Sequence, residues 1–237
     1  MHELLLAGRP GFIPPTGDVI FLFDPGTGKD EISNQVCIAM SGGLAVDPTY
    51  LMDGKPSLKF TGAANQGLIT LPQAINLDTL GDWTVEWSSR PTSFVTTYAN
   101  ELFLDITTTQ GYPIGCRWGD GGYGNRLQFN ISNWANANIG QPPINKASVV
   151  NKVNRWAMVF RNNLLRIYKD GVLQMIAFGT STTYAQDYMP KVSTLPTATK
   201  MYLGYYNNIN QAWLGNFGRV RISNFARYLG NYTPESF

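Results

Sequence analysis

Between Arg155 and Phe178 the chain reads RWAMVFRNNLLRIYKDGVLQMIAF, and this stretch limits the fold more than any other. Asn162-Asn163 and Asp170-Gly171 each separate two runs of β-branched, aromatic and aliphatic residues. Both dipeptides tolerate the positive φ angles of a two-residue type I′ turn, whose twist matches that of the strands it joins. Three consecutive antiparallel strands are therefore expected. Period-2 alternation puts Trp156, Met158 and Phe160 on one face of the first strand and Leu165 and Ile167 on one face of the second, the pattern of a half-buried sheet.

Similar short runs recur along the whole chain: Val19–Phe23, Ser57–Phe60, Leu68–Leu71, Trp83–Arg90, Leu102–Thr107, Ile114–Trp118, Arg126–Ile131, Lys200–Tyr205 and Phe217–Ser223. Hardly any segment carries a 3.6-residue apolar stripe. Many short strands and Gly/Pro turns specify an all-β sandwich or barrel. At 237 residues one such domain is ordinary, with a core large enough to need no disulfide or metal staple. We expect one sandwich over residues 18–237, preceded by an extended arm over 1–17.

Composition removes several functions. Charged residues are 14% and the net charge is +2, so there is no basic footprint for nucleic acid or an acidic membrane. His2 is the only histidine, which argues against Ser-His-Asp or Cys-His catalysis. Cys37 and Cys116 form no CxxC and no Cys/His cluster; a single bridge between them stays open, with free thiols expected in a reducing cytoplasm. No run of apolar residues is long enough to span a membrane, and Leu4–Ala7 lacks the basic n-region and length of a signal peptide. Pro10, Pro14 and Pro15 favour an extended conformation for the arm. Its apolar residues Leu4, Leu5, Leu6, Phe12 and Ile13 suit docking on another subunit; an ordinary first strand or a loose tail is the alternative.

Several blocks, read in order, resemble the concanavalin A-like jelly roll of laminin-G-type and lectin/glucanase domains. They are FLFDPGTGKDEISN (Phe21–Asn34), SLKFTGAANQGLITLP (Ser57–Pro72), DWTVEWSSRP (Asp82–Pro91), the hairpin pair of Arg155–Leu173, MYLGYY (Met201–Tyr206) and WLGNFGRVRISNFARY (Trp213–Tyr228). The closing segment VRISNFARYLGNYTPESF is similar to a variant found in tailed-bacteriophage structural proteins. The resemblance implies two antiparallel sheets packed face to face, and a virion component assembled in the host cytoplasm. Members of the fold include glycosidases, lectins, calcium-dependent adhesion modules and plain structural units, so function has to come from the sites.

The glucanase string Glu-x-Asp-x-x-Glu is missing. Its nearest approach, Glu101 and Asp105 in ELFLDIT, is expected to be a pair of solvated strand-edge carboxylates, and Glu86 to be structural. Acids that hold calcium in the laminin-G-like pattern are replaced by Thr61–Gln66 and by Gly218-Arg219, and the loop of Asp24, Asp30 and Glu31 reads as a turn. No cofactor is called for. Sugar binding needs an exposed ring and nearby polar groups, and Gly111–Gln141 supplies Tyr112, Trp118, Asp120, Tyr123, Asn125 and Trp134 among many glycines. The competing reading is that Trp118 and Trp134 cover the sandwich ends. Tyr202, Tyr205, Tyr206 and Trp213 are expected to divide between core and interface, and Arg219, Arg221 and Arg227 to pair with a partner's carboxylates or to face outward from the strand.

These features lead to the expectation of a non-enzymatic jelly-roll protein on a phage head. It would decorate or stabilise the capsid, associate with other virion proteins and with copies of itself, and adhere weakly to glycans. The alternative is a tail or fibre module that binds host surface polysaccharide through Gly111–Gln141. Neither reading involves nucleic acid or membrane insertion.

Overall fold

The computed structural model of the chain describes residues 18–41, 44–61, 66–94, 99–106, 114–119, 126–130, 139–141, 144–178, 184–185, 197–204 and 213–234. In chain order the strands are β1 (Val19–Asp24), β2 (Lys29–Asp30), β3 (Ile38–Ser41), β4 (Ala45–Met52), β5 (Lys55–Phe60), β6 (Gln66–Asn76), β7 (Trp83–Phe94), β8 (Ala99–Ile106) and β9 (Gly115–Gly119). They continue as β10 (Arg126–Asn130), β11 (Ile139–Gln141), β12 (Asn154–Arg161), β13 (Leu164–Lys169), β14 (Val172–Leu173), β15 (Ile176–Phe178), β16 (Tyr184–Ala185), β17 (Thr197–Leu203) and β18 (Trp213–Ser223). Single helical turns α1 (Leu77–Leu80) and α2 (Lys146–Val149) are capped by the side chains of Asn76 and Asn145.

Among the described residues, two sheets of nine strands each form. The first runs β14-β13-β12-β7-β18-β1-β2, with β5 on β18 and β4 on β5; the second runs β16-β15-β11-β10-β9-β8-β17-β6-β3. The chain changes sheet repeatedly, and the paired strands described are antiparallel. This is an all-β, jelly-roll-like sandwich. Strands β3 and β4 were not legible as strands: Asp47 and Pro48 interrupt β4, and its pairing with β5 shifts register between Asp47 and Leu51.

Both hairpin turns form as the dipeptides require. Asn162 and Asn163 have φ of 49° and 61°, and Asp170 and Gly171 have φ of 50° and 79°. Trp83, Val85, Trp87, Trp156, Met158 and Phe160 then line the inner face of the first sheet. They meet Leu102, Leu104, Cys116, Trp118, Leu127 and Phe129 of the second. Rings cross the interface: the centroid of Trp156 lies 6.1 Å from Phe129 and 6.3 Å from Trp118. Each buried large side chain contributes roughly 1.5–3 kcal/mol.

The half-buried alternation expected for β12 is corrected. Ala157 and Val159, on its other face, are as buried as the core residues, and with Tyr168 they pack under Ala226, Tyr228 and Tyr232. The segment after β18 thus lies as a strap across the outside of the first sheet. Thr84 Oγ1 donates to the Phe225 carbonyl at 2.8 Å, and the Arg227 N–H donates to Thr84 Oγ1 at 3.0 Å. Farther along, the Tyr232 N–H donates to the Gly171 carbonyl at 2.8 Å, and the Leu173 N–H donates to Asn231 Oδ1 at 2.8 Å. The Tyr228 and Tyr232 rings stack, with Tyr168 edge-on to both.

Gly171 serves the turn and the strap together. Its φ disfavours any β-carbon, and a Cβ there would run into the Tyr232 carbonyl oxygen. Gly171→Ala should therefore destabilise the protein by about 2–3 kcal/mol, read as a lower urea midpoint with unchanged m-value.

Candidate functional site

Two glutamates lie buried on either side of the first sheet, Glu86 on its own strand β7 and Glu101 on β8 of the second sheet, and they are managed in opposite ways. Glu86, on the outer face of β7, accepts from Arg221 Nε at 2.7 Å and from Arg221 Nη2 at 2.9 Å. It also accepts from the Tyr228 hydroxyl at 2.6 Å and pairs with Arg227 at 3.3 Å. Burial alone would raise its pKa, but the charges of Arg221 and Arg227 and these hydrogen bonds outweigh burial and hold it below the ordinary value. Glu86 is a structural anion, as the sequence reading had it. The same geometry corrects the outward reading of Arg221 and Arg227, which serve a carboxylate of their own chain. Arg219 likewise reaches Glu31.

Glu101 corrects a second expectation. It is 2% exposed, far from the solvated strand-edge carboxylate that its spacing from Asp105 suggested. The pairing of β8 with β9 shifts register between Asn100 and Leu102, and this bulge admits the carboxyl to the space between the sheets. There Trp118 Nε1 donates to it at 2.9 Å and Trp87 Nε1 at 3.2 Å, while the Ser89 hydroxyl and the Cys116 thiol also contact it. No cation touches it among the described residues. Burial pushes its pKa up, and the surrounding donors recover only part of that shift. The same burial, with Glu101 beside it, raises the Cys116 thiol. Cys37 and Cys116 are both free and buried.

The acidic loop closes on itself. Asp30 accepts from the N–H groups of Leu22, Ile32 and Ser33, and Asp24 accepts from the Gly26 N–H. Lys55 Nζ stands 3.5 Å from Asp24 and 3.1 Å from Glu31, so an ammonium group bridges the carboxylates.

Of the residues assigned to glycan contact, Trp118 is a core residue, 1% exposed, with Phe94 and Trp156 against its ring. Alternation on β9 turns it inward and leaves no ring face for a sugar. Tyr112, Asp120, Tyr123, Asn125 and Trp134 lie outside the described residues, as do the arm residues Leu4, Leu5, Leu6, Phe12 and Ile13. Tyr205 and Tyr206 also fall outside them; Tyr202 is half-buried on β17. On the opposite face of β9 and β10, the sequence reading missed a polar pair. Arg117 Nε donates to Gln128 Oε1 at 2.7 Å, and Gln128 Nε2 is buried with no hydrogen-bond partner among the described residues.

A cleft of about 240 Å³ opens where the β12–β13 turn meets the strap. Among the described residues, Val159, Arg161, Asn162, Leu164, Arg166, Tyr228 and Leu229 line it. The cleft also escaped the sequence reading. Its residues come from a hairpin and from a segment some 60 positions away, joined by the Arg166 Nη1 bond to the Leu229 carbonyl at 2.8 Å.

No protein-family model and no curated protein sequence matches the chain. Solved structures do match. The binding domain of botulinum neurotoxin DC, solved with rat synaptotagmin II, aligns with a TM-score of 0.64 at 10% identity over 88% of this chain and 48% of that one. Trypanosoma rangeli sialidase with the inhibitor DANA aligns at 0.57 and 11% identity, over 94% and 34%. Domain 4 of AbnA, a GH43 extracellular arabinanase from Geobacillus stearothermophilus, in complex with arabinotriose, aligns at 0.55 and 12% identity, over 92% and 95%. The chain spans about half of the toxin fragment and a third of the sialidase, but nearly all of the arabinanase domain. At these identities the likeness is one of fold.

The two glutamates set opposite pH responses. Glu86 stabilises the fold above the ordinary glutamate pKa of about 4.3, and that contribution is lost as pH falls through its lowered folded-state value. Burial raises the Glu101 pKa in the folded state, so its contribution falls as pH rises from about 4.3 towards that raised value. Urea titrations should show Glu86→Gln losing about 3–5 kcal/mol at pH 7, a deficit that shrinks on acidification. Glu101→Gln should instead improve relative to wild type as pH rises.

Proposed function

We propose that this chain is a non-enzymatic carbohydrate-binding module carried on a tailed-phage particle. The observation that carries the non-catalytic part is the state of its buried acids. Glu86 is neutralised by two arginines and Glu101 is walled in by indoles, so neither can protonate a glycosidic oxygen or deliver a water.

Two features support carbohydrate as the ligand. The sandwich matches end to end a domain solved with arabinotriose, and the Gly111–Gln141 segment brings Tyr112, Asp120, Tyr123, Asn125 and Trp134 to the chain. Rings for the apolar face of a sugar and amides for its hydroxyls are what such a site requires. Placement on a phage particle, whether as a capsid decoration or on the tail, rests on the resemblance of the closing segment. Because that segment is consumed as the strap, contact with other virion proteins falls to other surfaces, with the 1–17 arm as our candidate.

A glycan array should give saturable binding that Trp134→Ala weakens at least tenfold, with no release of reducing ends from any bound polysaccharide. Particle association should fail when residues 1–17 are deleted while the far-ultraviolet spectrum stays that of a β protein. Turnover of a bound glycan, or an array with no response, would reject the proposal.

A further inference from the structure

A strand at the edge of a sheet carries a row of unpaired backbone groups, and proteins guard such rows with charge, proline, bulges or a covering segment. Strand β4 is guarded by Asp47, Pro48 and a register shift, and the strap takes up the Leu173 N–H of β14. Strand β3, at one end of the second sheet, is different. No charged residue and no proline stands between Glu31 and Asp47, and the pairing of β3 with β6 runs without a bulge.

One hydrogen bond fixes which way the backbone of β3 points. The Thr70 N–H donates to the Cys37 carbonyl at 2.7 Å, in the antiparallel register that continues as Ile38↔Ile69, Ala39↔Leu68 and Met40↔Gly67. Hydrogen-bonded and non-hydrogen-bonded pairs alternate along such a ladder, so Ala39 exchanges its bonds with Leu68, while Ile38 and Met40 direct theirs away from β6. Among the described residues no strand pairs with that side. The side chains along this edge are apolar and uncovered: Val36 is 71%, Ile32 55% and Met40 45% exposed. Exposed apolar residues clustered in this way mark a contact surface, whereas single ones do not.

We propose that β3 pairs with β3 of a second copy of this chain, antiparallel about a two-fold axis at Ala39, so that the second sheets of the two copies become one. Ile38 of each copy then faces Met40 of the other, and each pair exchanges two backbone hydrogen bonds through groups that β6 leaves unused. Ala39 meets its own counterpart on the axis as a non-hydrogen-bonded pair, where Cα atoms approach to about 4.5 Å and a methyl side chain fits. Ile38 and Met40 share one face by alternation, so each methionine packs on the isoleucine opposite. Charge argues for a copy of the same chain as the occupant. A charged edge repels itself, and this neutral one does not; nor does it offer a charge by which a foreign strand would be selected. The pairing goes beyond the carbohydrate reading and does not depend on it.

Sedimentation velocity and amide hydrogen exchange of the full chain, followed as its concentration rises, test the proposal. The expected result is a monomer–dimer equilibrium in which the mass doubles and exchange slows at the Ile38 and Met40 amides in step with the dimer fraction, while the Ala39 amide changes little. Met40→Pro deletes an outward N–H without touching the β6 ladder, and Met40→Lys sets two cations near the axis; each should weaken association at least about tenfold. Both should keep the wild-type urea midpoint when measured on the monomer. A wild-type chain that stays monomeric to millimolar concentration, a dimer whose Ile38 and Met40 amides exchange as in the monomer, or association undiminished in both variants would overturn the proposal. Slow exchange of those two amides at every concentration, lost when residues 1–17 are removed, would give the edge to the chain's own arm and overturn it too.

Discussion

Burial of the first sheet on both faces is the constraint on which the rest of the molecule depends. Its inner face meets the second sheet through Trp83, Trp87 and Trp156, and its outer face lies under Ala226, Tyr228 and Tyr232. A sheet with water on one side can leave its outward polar residues solvated, whereas this one has to satisfy them within the protein. Glu86 pointing outward from β7 is tolerable only because Arg221 from β18 and Arg227 and Tyr228 from the strap converge on it. The last segment of the chain is therefore a third layer of the fold.

The contrast between Glu86 and Glu101 follows from the same geometry. Outside the sheet, guanidinium groups can reach the carboxylate and keep it ionised. Between the sheets the donors that reach Glu101 among the described residues are indole, hydroxyl and thiol groups, and burial raises its pKa. The solved structures that share the fold were solved with synaptotagmin II, the inhibitor DANA and arabinotriose, so the fold alone does not set a ligand.

Much of the frame was legible because its turns have chemical requirements: Asn162-Asn163 and Asp170-Gly171 predicted the hairpins, and apolar runs located most of the long strands. Errors arose where a distant segment or a bulge decided the outcome. The run Trp156–Phe160 is apolar at every position, a sign of two-sided burial that alternation alone does not register. Glu101 enters the core through a register shift invisible to period-2 counting, and Trp118 follows its strand's alternation inward. The arginines of β18 and the strap looked available because their acid, Glu86, stands some 135 residues earlier in the chain. The cleft needs the hairpin and the strap together, and no local pattern announces that meeting.

The central claim is that the strap is an integral layer of the sandwich. Amide hydrogen exchange, comparing the full chain with one ending at Ser223, tests it most directly. If the strap seals the first sheet, its removal exposes the Glu86 network and Tyr168, and protection should collapse across β7, β12 and β13. Retention of native protection in those strands without residues 224–237 would contradict the account.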